Sequence, residues 1–80
     1  MLADRDGIVR IRSNMAGEVE IRVTLGQSIY SGQCIAVVEG DHEIESLSVR
    51  NPSVIKEILV ACGSEVSAGT TLVLIREIPD

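Results

Sequence analysis

The sequence predicts an all-β fold: a flattened barrel-sandwich of two repeats related by an approximate twofold, with about seven or eight short strands. Three observations carry that expectation. The 80 residues include ten Val, ten Ile and seven Gly, no Phe, no Trp and Tyr30 alone. Such a bias toward β-branched side chains with scattered glycine favours short strands and tight turns over helices, and requires an aliphatic core. Second, Ile21, Val23 and Leu25 alternate with Glu20, Arg22 and Thr24, the period-two signature of a strand with one face buried. Third, the chain repeats itself. Sliding it by 37 positions places Asn14 on Asn51, Glu20-Ile21 on Glu57-Ile58, Val23 on Val60, Gly26 on Gly63 and Gly32 on Gly69, the mark of a duplicated unit.

The elements follow in order. Repeat one, about residues 8–40, runs through the alternating strand to Gly26-Gln27, where a turn is expected because glycine admits positive φ without steric cost. Ser31-Gly32 breaks the chain again six residues later, and Ile35-Ala36-Val37-Val38 forms the next strand. The polar stretch Glu39-Gly40-Asp41-His42-Glu43 then joins the copies; Gly-Asp is turn chemistry, so a hairpin tip is expected at 39–43. Repeat two, about residues 44–77, repeats the plan with turns at Gly63-Ser64 and Ala68-Gly69 and a last strand at Leu72-Val73-Leu74-Ile75. Each repeat is apolar on one face only, so the two cover each other. All 80 residues are expected to form one domain, with the tip at one end and the termini together at the other; a small SH3-like barrel is the competing architecture.

Size and charge narrow the function. A chain of 8.6 kDa buries only about 60 to 65% of its unfolded surface, too little to enclose a large enzyme pocket. Twelve acidic against seven basic residues give a net charge of -5, which repels a phosphate backbone and an anionic membrane. No apolar run approaches the roughly 18 residues of a membrane span, and MLADRDG lacks a signal-peptide layout. Neither nucleic acid nor membrane is expected as a partner, and the expected location is cytoplasmic. Cys34 and Cys62 make no CxxC pair and are expected to be reduced, partly buried small hydrophobes.

With these residues in place, the chain resembles the biotinyl/lipoyl attachment domain family. Ser13-Asn14-Met15-Ala16-Gly17-Glu18-Val19 is similar to the family's S-P-M-x-G-x-V, and Leu25-Gly26-Gln27-Ser28-Ile29-Tyr30-Ser31-Gly32-Gln33 to its V-G-x-x-V-x-x-G-Q. The second half, Val54-Ile55-Lys56-Glu57-Ile58-Leu59-Val60 with Gly63, Val66, Gly69 and Leu72, resembles V-V-K-E-I-L-V-x-x-G-x-x-V-x-x-G-x-x-L. The likeness covers roughly residues 8–77. It implies a carrier, in which a lysine at the hairpin tip bears biotin or lipoate and swings it between the active sites of a carboxylase or an acyl-transferring dehydrogenase complex; a long arm on a rigid turn raises the effective concentration of its reactive end at each site.

At the tip this chain departs from the resemblance. Counting back from Lys56 lays the family's E-T-D-K or E-A-M-K on Glu39-Gly40-Asp41-His42, so His42 stands where the modified lysine belongs. A slip of two residues, suggested by Ser48-Val49-Arg50-Asn51-Pro52 resembling S-V-R-A-P, puts Ile44 there instead. Neither is lysine, and Lys56, the one lysine of the chain, reads as a strand residue beside Glu57. Asn14 replaces the family's Pro, and the glycine before the second half's strand is either replaced by Ser53 or lost in a deletion.

The candidate site is therefore the tip, His42 with Gly40, Asp41 and Glu43, and no catalytic or metal-binding set is expected. His42 between two carboxylates could be a ligand or a phosphoacceptor, or merely an exposed polar tip, which is the reading adopted. Asp41, His42, Glu43 and Glu45 lack a second anchoring segment for a metal. Tyr30 is expected to pack over its turn. Cys62, before Gly63 in a turn, is expected to be accessible, but with nothing basic beside it to lower its pKa it is not expected to be reactive. The resemblance, with its tip altered, implies a non-catalytic accessory or docking module without cofactor, serving a biotin-dependent carboxylase or a 2-oxoacid dehydrogenase complex. An altered-tip carrier of biotin or lipoate is the alternative. A lipoyl-like domain of a membrane-fusion adaptor ranks third, because a long helical hairpin normally separates the half-motifs there.

Overall fold

The computed structural model describes residues 7–78 as eight strands without a helix. In chain order they are β1 (Ile8–Arg12), β2 (Gly17–Ile21), β3 (Ser28–Ile29), β4 (Cys34–Glu39), β5 (Ile44–Ser48), β6 (Ser53–Ile58), β7 (Glu65–Val66) and β8 (Thr71–Glu77). They form two antiparallel four-stranded sheets, ordered β1-β8-β6-β3 and β5-β4-β2-β7. Replacing each strand of the first by its counterpart four places along the chain gives the order of the second. Each sheet thus draws strands from both repeats, so neither repeat closes its own hydrogen bonds or its own core.

The dyad extends to single bonds. Gly26 N–H donates to Ile55 O at 2.8 Å as Gly63 N–H does to Val19 O at 2.7 Å, and Ile55 N–H to Gln27 O at 3.0 Å as Val19 N–H to Ser64 O at 2.9 Å. Gly26 and Gly63 adopt φ of +84° and +90° as the third residues of turns closed by Gln27 N–H to Thr24 O and Ser64 N–H to Ala61 O. A type II turn needs positive φ at that position, which explains glycine there in both copies. The core is equally paired: Val19 with Ile55, Ile29 with Val66, Ile35 with Leu72, Ala36 with Val73 and Val38 with Ile75 are all buried. An aliphatic interior is what the lack of Phe and Trp required.

These bonds correct the repeat register. Val19 and Ile55 are equivalent at an offset of 36, whereas Glu20 and Glu57, opposite Val37 and Leu74, are equivalent at 37. The step falls at Lys56, the extra residue of a β-bulge between Ile55 and Glu57. Asn14 accordingly does not stand on Asn51; it stands on Arg50. Ser53 is the counterpart of Gly17, so the glycine is replaced, not deleted. Ser53 is fully buried and its Oγ–H donates to Asn51 O at 2.8 Å.

Candidate functional site

β4 and β5 form a hairpin in which Glu39 opposes Ile44 and Val38 opposes Glu45. Its tip is Gly40–Glu43, closed by Gly40 N–H donating to Glu43 O at 2.8 Å. Asp41 and His42 are the two central residues, and Asp41, His42 and Glu43 are all exposed. Ile44, the alternative position, is the first residue of β5 and 67% exposed. It lies on the strand and not in the turn.

The β1–β2 loop holds this tip. A Cβ on Gly17 would lie 2.4 Å from Glu39 O and 2.7 Å from Glu39 C, so only glycine lets β2 approach the end of β4 this closely. At Gly40 a Cβ would lie 2.6 Å from Met15 Cε and 3.2 Å from Ala16 O. Asn14 N–H donates to Glu45 Oε1 at 3.0 Å, and its Nδ2–H donates to Glu45 Oε2. Proline in place of Asn14 could make neither bond. Ser13, buried beneath, accepts Met15 N–H on its Oγ at 3.2 Å. The turn is exposed, yet both of its stems are anchored.

Sequence reasoning missed the Asn14–Glu45 clamp, although a signal for it existed. In β5, Leu47 and the following Val49 alternate inward and Glu45 falls in phase with them; a carboxylate on the core-facing side calls for a hydrogen-bonding partner.

Other candidates lie elsewhere or alone. His42 makes no hydrogen bond or ion pair among the described residues, so neither Asp41 nor Glu43 fixes its tautomer. No group of three or more His, Cys, Asp and Glu among the described residues is arranged to hold a metal ion. Lys56 is exposed at its bulge in the other sheet; bulging breaks the alternation, so Glu57 is exposed with it. The one ion pair among the described residues is Arg22–Glu20 at 3.3 Å, and Lys56 does not pair with Glu57. Tyr30 is 70% exposed and does not pack over its turn, which Gln33 closes instead by accepting Tyr30 N–H on Oε1 at 3.2 Å. Cys34 is half-buried; Cys62 is exposed in its turn, accessible as expected there but not partly buried, and its Sγ accepts Ile21 N–H at 3.3 Å.

Two clefts flank the tip side of the β5-β4-β2-β7 sheet. One, of about 440 Å³, is lined by Ala16, Gly17, Glu18, Glu39, Gly40, Asp41 and Glu65. A smaller one, of about 230 Å³, lies between Glu18, Glu20, Glu39 and Cys62. Carboxylates line both, and neither holds the paired acid, base and nucleophile of a hydrolytic or transfer site.

A two-sheet β domain with dyad-related halves and a buttressed, exposed hairpin between them defines a structural class. Residues 9–75 match the sequence model of the family described as biotin-requiring enzyme, and the chain belongs to this biotinyl/lipoyl family. Over 66 residues it is 35% identical to the dihydrolipoyllysine-residue acetyltransferase component of the pyruvate dehydrogenase complex of Haemophilus influenzae, a match covering 82% of this chain and 12% of that protein. The same fold occurs in a single-chain, multi-domain long-chain acyl-CoA carboxylase, with a TM-score of 0.83 and 22% identity over 92% of this chain and 7% of that one. It occurs also in the urea carboxylase of Kluyveromyces lactis, with a TM-score of 0.76 and 18% identity over 88% of this chain and 6% of that one. The chain spans a small fraction of each. Among the described residues no helix is long and apolar enough to cross a membrane.

Proposed function

We propose that this chain is a biotinyl/lipoyl-type domain that works without a prosthetic group, as a non-catalytic docking or accessory module of a multienzyme assembly. One observation carries the reading: the central residues of the hairpin are Asp41 and His42, and the single lysine of the chain is Lys56, in a bulge of the opposite sheet. Amide linkage of biotin or lipoate requires a primary amine on the turn. The tip does not fit either group, because an acylated imidazole hydrolyses readily in water whereas an amide persists. The β1–β2 loop nonetheless anchors both stems, which suits a surface that a partner reads as a rigid shape. Relatives named as a pyruvate dehydrogenase component and as carboxylases point to subunits of a 2-oxoacid dehydrogenase or a biotin-dependent carboxylase as partners, in the cytoplasm.

Intact mass after co-expression with biotin and lipoate ligases tests this. The expected mass is that of the bare chain, while His42→Lys, folded by the same spectroscopic criteria, gains one prosthetic group. Attachment to the wild-type chain would establish an altered-tip carrier instead. A folded His42→Lys that stays bare would show that His42 does not occupy the attachment position.

A further inference from the structure

The two outer faces are dyad equivalents, yet they carry opposite charge. On the β5-β4-β2-β7 sheet, Ile44, Glu39, Glu18 and Glu65 are successive cross-strand partners, so one row crosses all four strands with three adjacent carboxylates. Glu20 stands in the next row beside Val37. On the β1-β8-β6-β3 sheet the equivalent row is Ile8, Arg76, Val54 and Ser28, and the next is Arg10, Leu74 and Glu57. Arg12 and Lys56 are exposed at its margins. Arg10, Arg12, Arg76 and Lys56 take no ion pair within the described fold. Directly opposed like charges weaken a sheet, so the glutamate row does not serve the stability of the isolated domain.

We infer that the cationic β1-β8-β6-β3 face docks a second copy of this chain through that copy's carboxylate face, a head-to-tail stack independent of whether the tip carries a group. The rows match because the dyad sets both on the same strand geometry: Arg76 of one copy and Glu39 of the next occupy equivalent places. Half-buried Ile8, Leu74 and Val54 lie between the cations and Val37 between the carboxylates, giving each face an apolar floor. A net charge of -5 opposes association at long range. At about 0.1 M salt, however, the Debye length is about 10 Å, shorter than the 19 Å and 22 Å minor dimensions of the domain, so the facing surfaces dominate. Four strands about 4.8 Å apart offer about 400 Å² per face, below the roughly 800 Å² per partner of a stable complex. The stack is therefore weak and salt-sensitive, and because its contact is heterologous it stays open-ended.

Sedimentation velocity from micromolar to millimolar protein tests this. Wild type is expected to gain mass with concentration at 0.1 M salt, on the order of twofold at the top of the range, and to be monomeric at 1 M salt, where screening acts within about 3 Å. R10E/R76E, acidic on both faces, and E18K/E39K, basic on both, should each stay monomeric alone and associate when mixed, since mixing restores both pairings. Circular dichroism confirms folding of each variant. A wild type monomeric throughout, an association that 1 M salt leaves intact, or an R10E/R76E chain that associates as wild type does would overturn the inference.

Discussion

Gly17 and Gly40 both lie under the tip, but they differ in what a methyl group would strike. At Gly17 the obstacle is the backbone of Glu39, with the carbonyl oxygen 2.4 Å and the carbonyl carbon 2.7 Å from a Cβ. That backbone is fixed by its pairing with β2 and β5, so the strain cannot be relieved locally. At Gly40 the nearest atom is the terminal methyl of Met15, at 2.6 Å, the end of a flexible side chain that can rotate away. Gly17→Ala should therefore lose about 2 to 3 kcal/mol, the range of overpacking against an unyielding neighbour. Gly40→Ala should lose less than about 1 kcal/mol. Urea unfolding of the two variants measures both. Equal losses would mean that β4 yields at its end and that the stem is looser than its bonds suggest.

At the level of elements, β6 is the strand that differs from its twin. In β2 the residues Glu18, Val19, Glu20 and Ile21 face β4 in unbroken register, while in β6 the bulge at Lys56 sits between Ile55 and Glu57. Ordinarily, removing one strand residue turns every later side chain to the other face. Here removal of Lys56 joins Ile55 directly to Glu57, as Val19 is joined to Glu20, and leaves Ile55 and Ile58 inward. A chain lacking Lys56 should fold with stability within about 1 kcal/mol of the parent, whereas one lacking Glu20 should lose more than about 4 kcal/mol, in the range of severe core damage. Denaturant midpoints, with amide exchange in β6, check the pair. The same bulge marks where sequence reading ended. The alternation placed Val23 in the core, but the strand it marks ends at Ile21, and Leu25, expected on the same buried face, is 68% exposed because the Gly26 turn has already begun there. The glycine turns and the duplicated strands were legible because each is a local pattern. A uniform shift of 37 hid the inserted residue because Glu57 onward obeys it. The tip could be placed from Gly40-Asp41, and the phase of Glu45 signalled a need for a partner. That the partner is Asn14 could not be read, since the two lie 31 residues apart and meet only when the β1–β2 loop is brought to β5.

Across the whole molecule, the hairpin tip and the open end of the β8–β1 pair occupy dyad-equivalent places. Glu77 N–H donates to Gly7 O at 3.1 Å as Gly40 N–H donates to Glu43 O at 2.8 Å, and Ile8 opposes Arg76 as Ile44 opposes Glu39. The β8–β1 pair is thus a hairpin lacking only its two-residue turn. Replacing residues 78–80 and 1–6 with Asn-Gly, a turn suited to a two-residue hairpin, and opening the chain between Asp41 and His42 should give a permutant with the same eight strands. Its cost includes the bond from Ile78 N–H to Pro52 O, about 1 kcal/mol, so its stability should fall within about 2 kcal/mol of the parent. The permutant exchanges which pairing is local: β8–β1 becomes a hairpin, and β4–β5 becomes the contact most distant along the chain. Because the dyad maps one onto the other, mean contact separation barely changes, and folding rates, which follow that separation, should agree within a few-fold. Stopped-flow refolding of both chains supplies the comparison. A permutant that folds at least a hundredfold more slowly would show that the β4–β5 hairpin nucleates the fold in a way its twin cannot, and that the duplication is symmetric in structure but not in folding.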